Sequence, residues 1–137
     1  MKQVFADTNG WIALNSKRDQ LHDMAVKINK DLLQNGYKYV TTNFVLDETY
    51  TGLRMKVGYF AAVDFGEKIR SARTVQVIGV TGDMEEEAWQ IFKQYADKDF
   101  SFTDCTSFVV MRQLSLTEAF TSDHHFEQMG FATLLKL

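Results

Sequence analysis

The sequence predicts an α/β protein built around a parallel β-sheet. Short runs of β-branched and aromatic residues alternate along the 137-residue chain with longer segments in which apolar residues recur every three or four positions. No repeat, low-complexity tract or linker-like stretch interrupts this alternation. Strands that alternate with helices pair in parallel, because each helix carries the chain back to the start of the next strand. We therefore expect one domain that spans residues 1–137.

The first predicted elements lie in the N-terminal forty residues. A strand is predicted at residues 4–6, and a helical stretch follows over residues 11–35. Charged and polar residues break this helical stretch near residues 17–20, and the pair Asn35-Gly36 ends it. A second strand is predicted at residues 37–41.

Two further helices follow without a strand between them. The first has Thr42 or Asn43 as its N-cap and runs to about residue 57, where Gly58 ends it. The second helix is predicted over residues 59–72.

The next strand, residues 74–80, is the clearest candidate for a buried strand. The segment Thr81-Gly82-Asp83 then caps an amphipathic helix. The predicted inner face of this helix consists of Met84, Ala88, Ile91, Phe92 and Tyr95.

The last third of the chain predicts a loop, two helices and two strands. The loop covers residues 97–102, and a helix follows over residues 103–114. A fourth strand at residues 118–121 precedes a short helix at residues 124–129. The last strand is predicted at residues 131–135.

Composition excludes several classes of protein. With 18 acidic and 15 basic residues the formal net charge is −3, so bulk positive charge does not attract nucleic acid to this chain and any such binding is local. The single cysteine, Cys105, excludes an intramolecular disulfide and a cysteine-based zinc site. No apolar run approaches the ~18 residues that span a bilayer, and the N-terminus lacks a secretory signal. We expect a cytoplasmic protein that does not contact membranes.

Four acidic residues are predicted to meet at one edge of the sheet. In a parallel sheet with right-handed crossovers, all strands end at the same edge, and the helices that follow them begin there. Asp7 directly follows the first strand, and Asp123 directly follows the fourth. Glu48 lies only ~9 Å along the helix that follows the second strand. Asp104 opens the helix that leads into the fourth strand.

Each acid also has a purely structural interpretation. Asp7 could shape a turn or cap a helix, Glu48 could be an exposed helix residue, and Asp104 and Asp123 could cap helix N-termini. Taken together, however, carboxylates brought within ~4–6 Å repel one another unless a cation neutralises them. A ligand set made only of oxygen atoms favours Mg²⁺ or Mn²⁺. Such ions suit phosphate esters, because they activate water and neutralise charge on the phosphate.

Four segments that contain these acids carry a family resemblance: Val4 to Asn9, Thr42 to Glu48, Phe102 to Cys105, and Thr121 to Phe126. With them in this order, the sequence resembles the PIN-domain family of metal-dependent ribonucleases, and most nearly the VapC-type toxins of bacterial toxin–antitoxin pairs. The resemblance covers essentially the whole chain. It implies a three-layer α/β/α sandwich with a central parallel sheet of about five strands.

The resemblance also implies an activity and a site. The activity is hydrolysis of RNA phosphodiester bonds to 5′-phosphate ends with Mg²⁺ or Mn²⁺, in a homodimer that an antitoxin protein inhibits. The family's four acids, which are both catalytic and metal-binding, fall on Asp7, Glu48, Asp104 and Asp123. A polar residue that precedes the last acid falls on Thr121 or Ser122.

Several further residues are candidates for this site. Asp47 competes with Glu48, although the helical spacing favours Glu48, and Asp99 is a candidate fifth acid. His124 and His125 could coordinate a metal or shuttle a proton, but they are interpreted first as an exposed first turn of a helix. The candidate phosphate contacts are Arg54, Lys56, Arg70, Arg73 and Arg112. The aromatic residues considered for base stacking are Trp11, Phe44, Tyr50 and Tyr59.

Two other functions remain open from the sequence. A phosphoacceptor signalling domain of the response-regulator type also gathers acids at strand ends, and Lys136 stands where that fold needs a lysine. That fold also requires two adjacent acidic residues after the first strand, whereas this chain has only Asp7 at that place. The other alternative is a catalytically silent PIN-like module that binds a protein.

Overall fold

The computed structural model describes residues 2–136 and contains a parallel sheet of five strands in the order β3-β2-β1-β4-β5. The strands are β1 (Gln3–Ala6), β2 (Lys38–Thr42), β3 (Val75–Ile78), β4 (Glu118–Phe120) and β5 (Ala132–Thr133). The chain leaves the central strand β1 for β2 on one side and later returns to β4 on the other. In parallel sheets with such a reversal, ligands bind beside the carboxyl ends of the strands that flank it. The predicted α/β fold with a five-stranded parallel sheet is confirmed.

Seven helices flank the sheet within residues 2–136. They are α1 (Thr8–Asn15), α2 (His22–Gln34), α3 (Asn43–Lys56), α4 (Tyr59–Ser71), α5 (Gly82–Gln94), α6 (Phe102–Gln113) and α7 (His124–Gln128). The N-cap of α3 is Thr42, whose side chain accepts a hydrogen bond from the backbone N–H of Val45 at 3.0 Å. Of the helices in this range, none combines the length and apolarity that crossing a membrane requires.

The core lies between the sheet and its helices, and α6 is its most deeply buried helix. Every residue of α6 from Asp104 to Met111 is buried, and Cys105 is 0% exposed, as expected for a small core residue. Val4, Phe5 and Ala6 of β1 are also fully buried. Burial on all sides fixes the first turn of α6, and with it Asp104, at the carboxyl edge of the sheet.

The helix after β1 begins earlier than predicted. The sequence predicts its start at residue 11, but α1 begins at Thr8, directly after Asp7. This tight turn places the Asp7 side chain at the junction between a strand and a helix. The predicted break near residues 17–20 is confirmed, because α1 ends at Asn15 and α2 begins at His22.

Three predictions about the sheet and α5 need correction. The strand predicted as buried over residues 74–80 is the shorter edge strand β3, in which Gln76 and Val77 are exposed. Its apolar pattern indicates a strand, but the sheet order decides which strand lies at the edge. Phe92, predicted on the inner face of α5, is 42% exposed, because α5 buries only the stripe of Ala88 and Ile91. The last strand is limited to Ala132–Thr133.

Candidate active site

A cleft of about 340 Å³ opens at the carboxyl edge of the sheet. All four of the predicted acids line it, and they come from four separate parts of the chain: Asp7, Glu48, Asp104 and Asp123. The remaining lining residues are Thr8, Asn9, Ile12, Asp19, Lys56, Asp99, Ser101 and His125. The structure therefore brings together the residues that the sequence analysis selected, as the parallel arrangement of the strands requires.

Asp7 is the most buried acid of the cleft, with 4% of its surface exposed. Burial, reinforced by the negative charges of Asp104 and Asp123, raises the pKa of Asp7 from 3.8 to about 7. The hydroxyl of Thr121 donates a hydrogen bond to Oδ2 of Asp7 at 3.1 Å. Asp7 occupies the N-cap position of α1, but its side chain makes no capping hydrogen bond. Its carboxylate is therefore held towards the cleft rather than used by the helix.

Glu48 reaches the same cleft from α3. The hydroxyl of Thr8 lies 3.4 Å from Oε1 of Glu48 and donates to it. Partial burial, together with the charge of Asp104, raises the pKa of Glu48. Asp47 and Glu48 are both exposed, but only Glu48 lines the cleft, so the helical position of Glu48 settles which acid of the doublet faces the site.

Asp104 both caps α6 and faces the cleft. Its backbone N–H donates to the Ser101 hydroxyl at 2.9 Å, and its Oδ2 accepts from the Ser101 backbone N–H at 3.1 Å. The sequence also allowed a purely structural role for Asp104 at a helix N-terminus. The structure shows that role, because Ser101 and Asp104 form a capping box. Burial raises the pKa of Asp104, and the charge of Asp123 adds to that effect. One carboxylate thus serves the helix and the cleft together.

Asp123 has a similar double position. Its side chain caps the short helix α7 by accepting a hydrogen bond from the backbone N–H of His125 at 2.9 Å. The same carboxylate lines the cleft. The capping contact therefore fixes an acid at the mouth of the site.

A hydrogen-bond network joins the ends of β1 and β4. Asn9 Oδ1 accepts from the Ser122 backbone N–H at 2.7 Å and from the Ser122 hydroxyl at 3.0 Å. Thr121 is fully buried, and its hydroxyl donates to Asp7 and accepts from the Asp123 backbone N–H at 3.1 Å. Thr121, rather than Ser122, is thus the polar residue that contacts the acids. Asn9 was not predicted as a site residue, although its place two residues after Asp7 was a usable signal.

The prediction that both histidines are exposed is right for His124 and wrong for His125. The side chain of His124 is 72% exposed, whereas that of His125 is 16% exposed. Nδ1 of His125 lies 3.1 Å from Oδ2 of Asp104 and 3.2 Å from Oδ1 of Asp123. Its ring also packs against the Phe100 ring in a T-shaped arrangement. The position of His125 on the five-residue helix α7 turns its side chain inwards. Two consecutive histidines in the sequence do not show which of them faces the site.

The other candidates divide between the cleft and more distant surfaces. Asp99 lines the cleft, and Lys56 is the only one of the five proposed phosphate contacts that does so. Arg54 and Arg70 line a separate groove between α3 and α4. Arg112 lies in the last turn of α6, at the opposite end of that helix from Asp104. Trp11 is 3% exposed, so it belongs to the core.

The cleft fits a hard divalent cation. Within residues 2–136, no Lys or Arg nitrogen lies within 4.0 Å of the four acids, and His125 is the side chain whose ring nitrogen contacts two of them. Among the described residues, Asp123, His124 and His125 also form a group whose possible metal-ligand atoms lie within 4.8 Å of one another. Carboxylates that line one cleft, with no lysine or arginine nitrogen within 4.0 Å of them among the described residues, suit a divalent ion that keeps several of its waters.

The lysine required by the signalling alternative does not reach the cleft. Nζ of Lys136 lies 2.9 Å from Oε2 of Glu127 and its side chain is 61% exposed. It therefore forms a surface ion pair with Glu127 and is absent from the lining of the acidic cleft.

Comparison with known sequences gives two kinds of match. The family model of the PIN domain matches residues 4–132. The chain is 36% identical over 128 residues to the 23S rRNA-specific endonuclease VapC20 of Mycobacterium tuberculosis, which covers 93% of this chain and 95% of that protein. It is 30% identical over 112 residues to a VapC ribonuclease of Archaeoglobus fulgidus, which covers 80% of this chain and 70% of that one.

Comparison with solved structures agrees with these sequence matches. The crystal structure of VapC20, described as a Sarcin-Ricin loop cleaving toxin, superposes with a TM-score of 0.85 and covers 94% of this chain and 96% of that chain. A chain from the crystal structure of VapBC2 from Rickettsia felis bound to promoter DNA superposes with a TM-score of 0.71 at 12% identity, covering 96% of each chain. The second match concerns the fold alone.

Proposed function

This chain belongs to the PIN-domain family, and on that premise we propose that it is an endoribonuclease that hydrolyses RNA phosphodiester bonds as the toxin of a toxin–antitoxin pair. One observation carries the proposal. Four carboxylates from separate parts of the chain, Asp7, Glu48, Asp104 and Asp123, line one cleft of about 340 Å³. The 36% identity to an RNA endonuclease over 93% of the chain supports it.

We assign the catalytic role and the metal-binding role to these four acids, with Mg²⁺ or Mn²⁺ as the ion. When bound, the ion would activate water and neutralise the negative charge of the scissile phosphate. The donor set supports this choice, since carboxylate oxygens are the ligands that these ions prefer.

The surrounding side chains hold the acids in place. Thr121 donates to Asp7, and His125 lies between Asp104 and Asp123. Lys56 lies at the rim, where its positive charge can attract the RNA backbone towards an acidic site. Binding and orientation thus come from residues that contact the acids or line their cleft.

Ribosomal RNA is the first substrate to test. VapC20 acts on 23S rRNA, and its structure is described as cleaving the Sarcin-Ricin loop. We extend this to the present chain as a proposal about the class of substrate, a structured loop in 23S rRNA.

Incubation of the purified protein with 23S rRNA and with a mixed RNA pool tests the activity. We expect cleavage with Mg²⁺ or Mn²⁺, none with EDTA, and products with 5′-phosphate ends. Products with 2′,3′-cyclic phosphate ends, or full activity in EDTA, would contradict the proposal. The Asp7→Asn variant controls for a contaminating nuclease. Absence of cleavage together with binding of a partner protein would identify a silent module instead.

We propose that an antitoxin protein inhibits the cleft with a segment that carries Arg or Lys. The absence of a lysine or arginine within 4.0 Å of the four acids, among the residues described, supports a cation from a partner. Exposed apolar side chains near the junction of α3 and α4 supply an adjoining surface: Met55, Val57, Tyr59, Phe60 and Val63. Co-expression with an antitoxin protein that binds the chain should yield a complex that lacks ribonuclease activity.

We also propose that the protein is a homodimer. Trp89 and Phe92 of α5 are 46% and 42% exposed and stack on each other, which leaves an apolar pair for a second copy to cover. Light scattering should give twice the chain mass of 15.8 kDa, and the pair of changes Trp89→Ser and Phe92→Ser should give the monomer mass.

A further inference from the structure

A second cavity adjoins the acidic cleft and has the opposite charge. It has a volume of about 360 Å³ and lies where the end of α1 meets the end of α3. Its lining, which we call the basic pocket, consists of Asn15, Ser16, Lys17, Arg18, Lys56 and Val57. Three of these six residues are cations, and none of them is an acid.

The cations of the basic pocket are available to a ligand. Lys17, Arg18 and Lys56 are exposed, and within the described residues none of them lies within 4.0 Å of an acidic side-chain oxygen. By contrast, Lys68, Lys98 and Lys136 are each paired with an acid. Three unpaired positive charges around one concave surface favour the binding of a negatively charged group.

The basic pocket neighbours the acidic cleft. Lys56 lines both cavities, so a chain molecule that occupies the cleft lies beside the pocket. An RNA strand presents one phosphate per nucleotide on each side of the bond that is cut. A strand bound in the cleft therefore brings further phosphates near Lys56, the residue that the cleft and the basic pocket share.

A simpler explanation accounts for only part of this arrangement. Lys56 lies in the last turn of α3, where a positive charge stabilises the helix dipole. Lys17 and Arg18 lie outside any helix, in the loop between α1 and α2. A role in helix stability predicts an effect on melting temperature, whereas a role in binding predicts an effect on RNA affinity, so the two are separable.

We propose that the basic pocket binds a backbone phosphate of the RNA strand adjacent to the bond that is cleaved. This inference rests on the proposed ribonuclease function and deepens it, because it assigns Lys17, Arg18 and Lys56 to substrate binding. It also explains how a protein of net charge −3 holds a polyanion beside four carboxylates.

The test measures binding separately from cleavage. Its probe is a fluorescent single-stranded RNA of ~12 nucleotides, a length that single-strand binding surfaces cover, titrated in EDTA at several salt concentrations. The test variant carries Lys17→Ala, Arg18→Ala and Lys56→Ala. The matched control, Lys30→Ala with Lys93→Ala and Arg112→Ala, removes two lysines and one arginine that are exposed and line neither cavity.

We expect the test variant to bind this RNA about tenfold more weakly or worse, with the slope of log Kd against log salt reduced by about 1 to 2. The control should bind within about twofold of wild type. Replacing one backbone phosphate of the probe by an uncharged methylphosphonate should weaken binding to wild type at one position and have no effect there on the test variant.

Equal affinity of the test and control variants would overturn the proposal. A fall in the kcat of the test variant at unchanged RNA affinity would also overturn it. So would a fall in the melting temperature of the test variant large enough to explain its weaker binding by unfolding. If wild type binds through the pocket but cleaves no RNA with either metal, the proposed function fails and the pocket stands. If cleavage occurs and the test variant binds normally, the function stands and the pocket fails.

Discussion

His125 bridges two acids that belong to different helices: its Nδ1 lies 3.1 Å from Oδ2 of Asp104 and 3.2 Å from Oδ1 of Asp123. With a hydrogen on Nδ1, the ring can donate it to either of these carboxylate oxygens. The contact therefore fixes the start of α6 relative to the start of α7. It also makes His125 a positioning residue for the proposed site.

The first prediction concerns this bridge. His125→Ala should lower ribonuclease activity about 10- to 100-fold, the usual cost of losing a group that orients metal-binding carboxylates. The loss should include a raised apparent Kd for Mn²⁺, measured by titration calorimetry. His125→Asn, whose amide nitrogen can stand in for Nδ1, should recover part of it. His124→Ala is the matched control, and a loss as large as that of His125→Ala would contradict the assignment.

The second prediction concerns the charge of Asp7. Asp7→Asn should abolish cleavage and yet raise the melting temperature in EDTA at pH 7.5, because it removes a buried negative charge that faces two others. A relief of ~1 kcal/mol corresponds to about 3 to 4 °C for a chain of this length. With ~10 mM Mn²⁺ the wild type should gain stability by mass action and the variant should gain less. A variant that is less stable in EDTA would make Asp7 a structural residue.

The third prediction concerns pH. The folded pKa of Asp7 is raised from 3.8 to about 7, and those of Glu48 and Asp104 are raised as well. Between pH 4 and pH 7 the folded state therefore binds more protons than the unfolded state, and the stability of the metal-free protein falls as pH rises. Thermal melts in EDTA should give a higher midpoint at pH 5.5 than at pH 7.5. The difference should shrink in Asp7→Asn, and an equal difference in both proteins would count against this cause.

The fourth prediction concerns Thr121. Thr121→Val keeps the shape of the side chain but removes the hydroxyl that donates to Asp7 and accepts from the Asp123 backbone N–H. The free energy of unfolding should fall by about 1 to 3 kcal/mol, the usual cost of an unsatisfied buried group, and activity should fall with it. Thr121→Ser retains the hydroxyl and should stay close to wild type. Equal losses in the two variants would point to packing of the methyl group instead.

The fifth prediction concerns Gly10, at the start of α1. A Cβ atom at this position would lie 2.0 Å from the backbone oxygen of Phe120 and 2.6 Å from its ring. Gly10→Ala should therefore force α1 away from β4 and destabilise the protein by roughly 3 kcal/mol, or about 10 °C in melting temperature. Gly82→Ala, where a Cβ meets nothing within 4 Å, is the control and should be near neutral. A melting temperature unchanged in Gly10→Ala would show that α1 can shift freely.

Much of the candidate site was predictable from the sequence because it depends on strand ends. Asp7 and Asp123 each follow a strand, and in a parallel sheet those positions share an edge whatever the order of the strands. Glu48 was separable from Asp47 by helical phase alone. The contacts among these residues were not predictable. Asn9, Thr121 and Ser122 meet only because β4 lies beside β1, and that pairing joins positions more than a hundred residues apart.

By itself, the sequence determined the class of fold, the identity of the four acids and their meeting at one edge, because alternation and spacing act locally along the chain. Tertiary structure alone decided that β3 is an exposed edge strand, that His125 turns inwards between Asp104 and Asp123, and that Lys17 and Arg18 share a cavity with Lys56. Each of these outcomes depends on which elements become neighbours. That choice is made by burial of the whole core, in which no single segment carries the information.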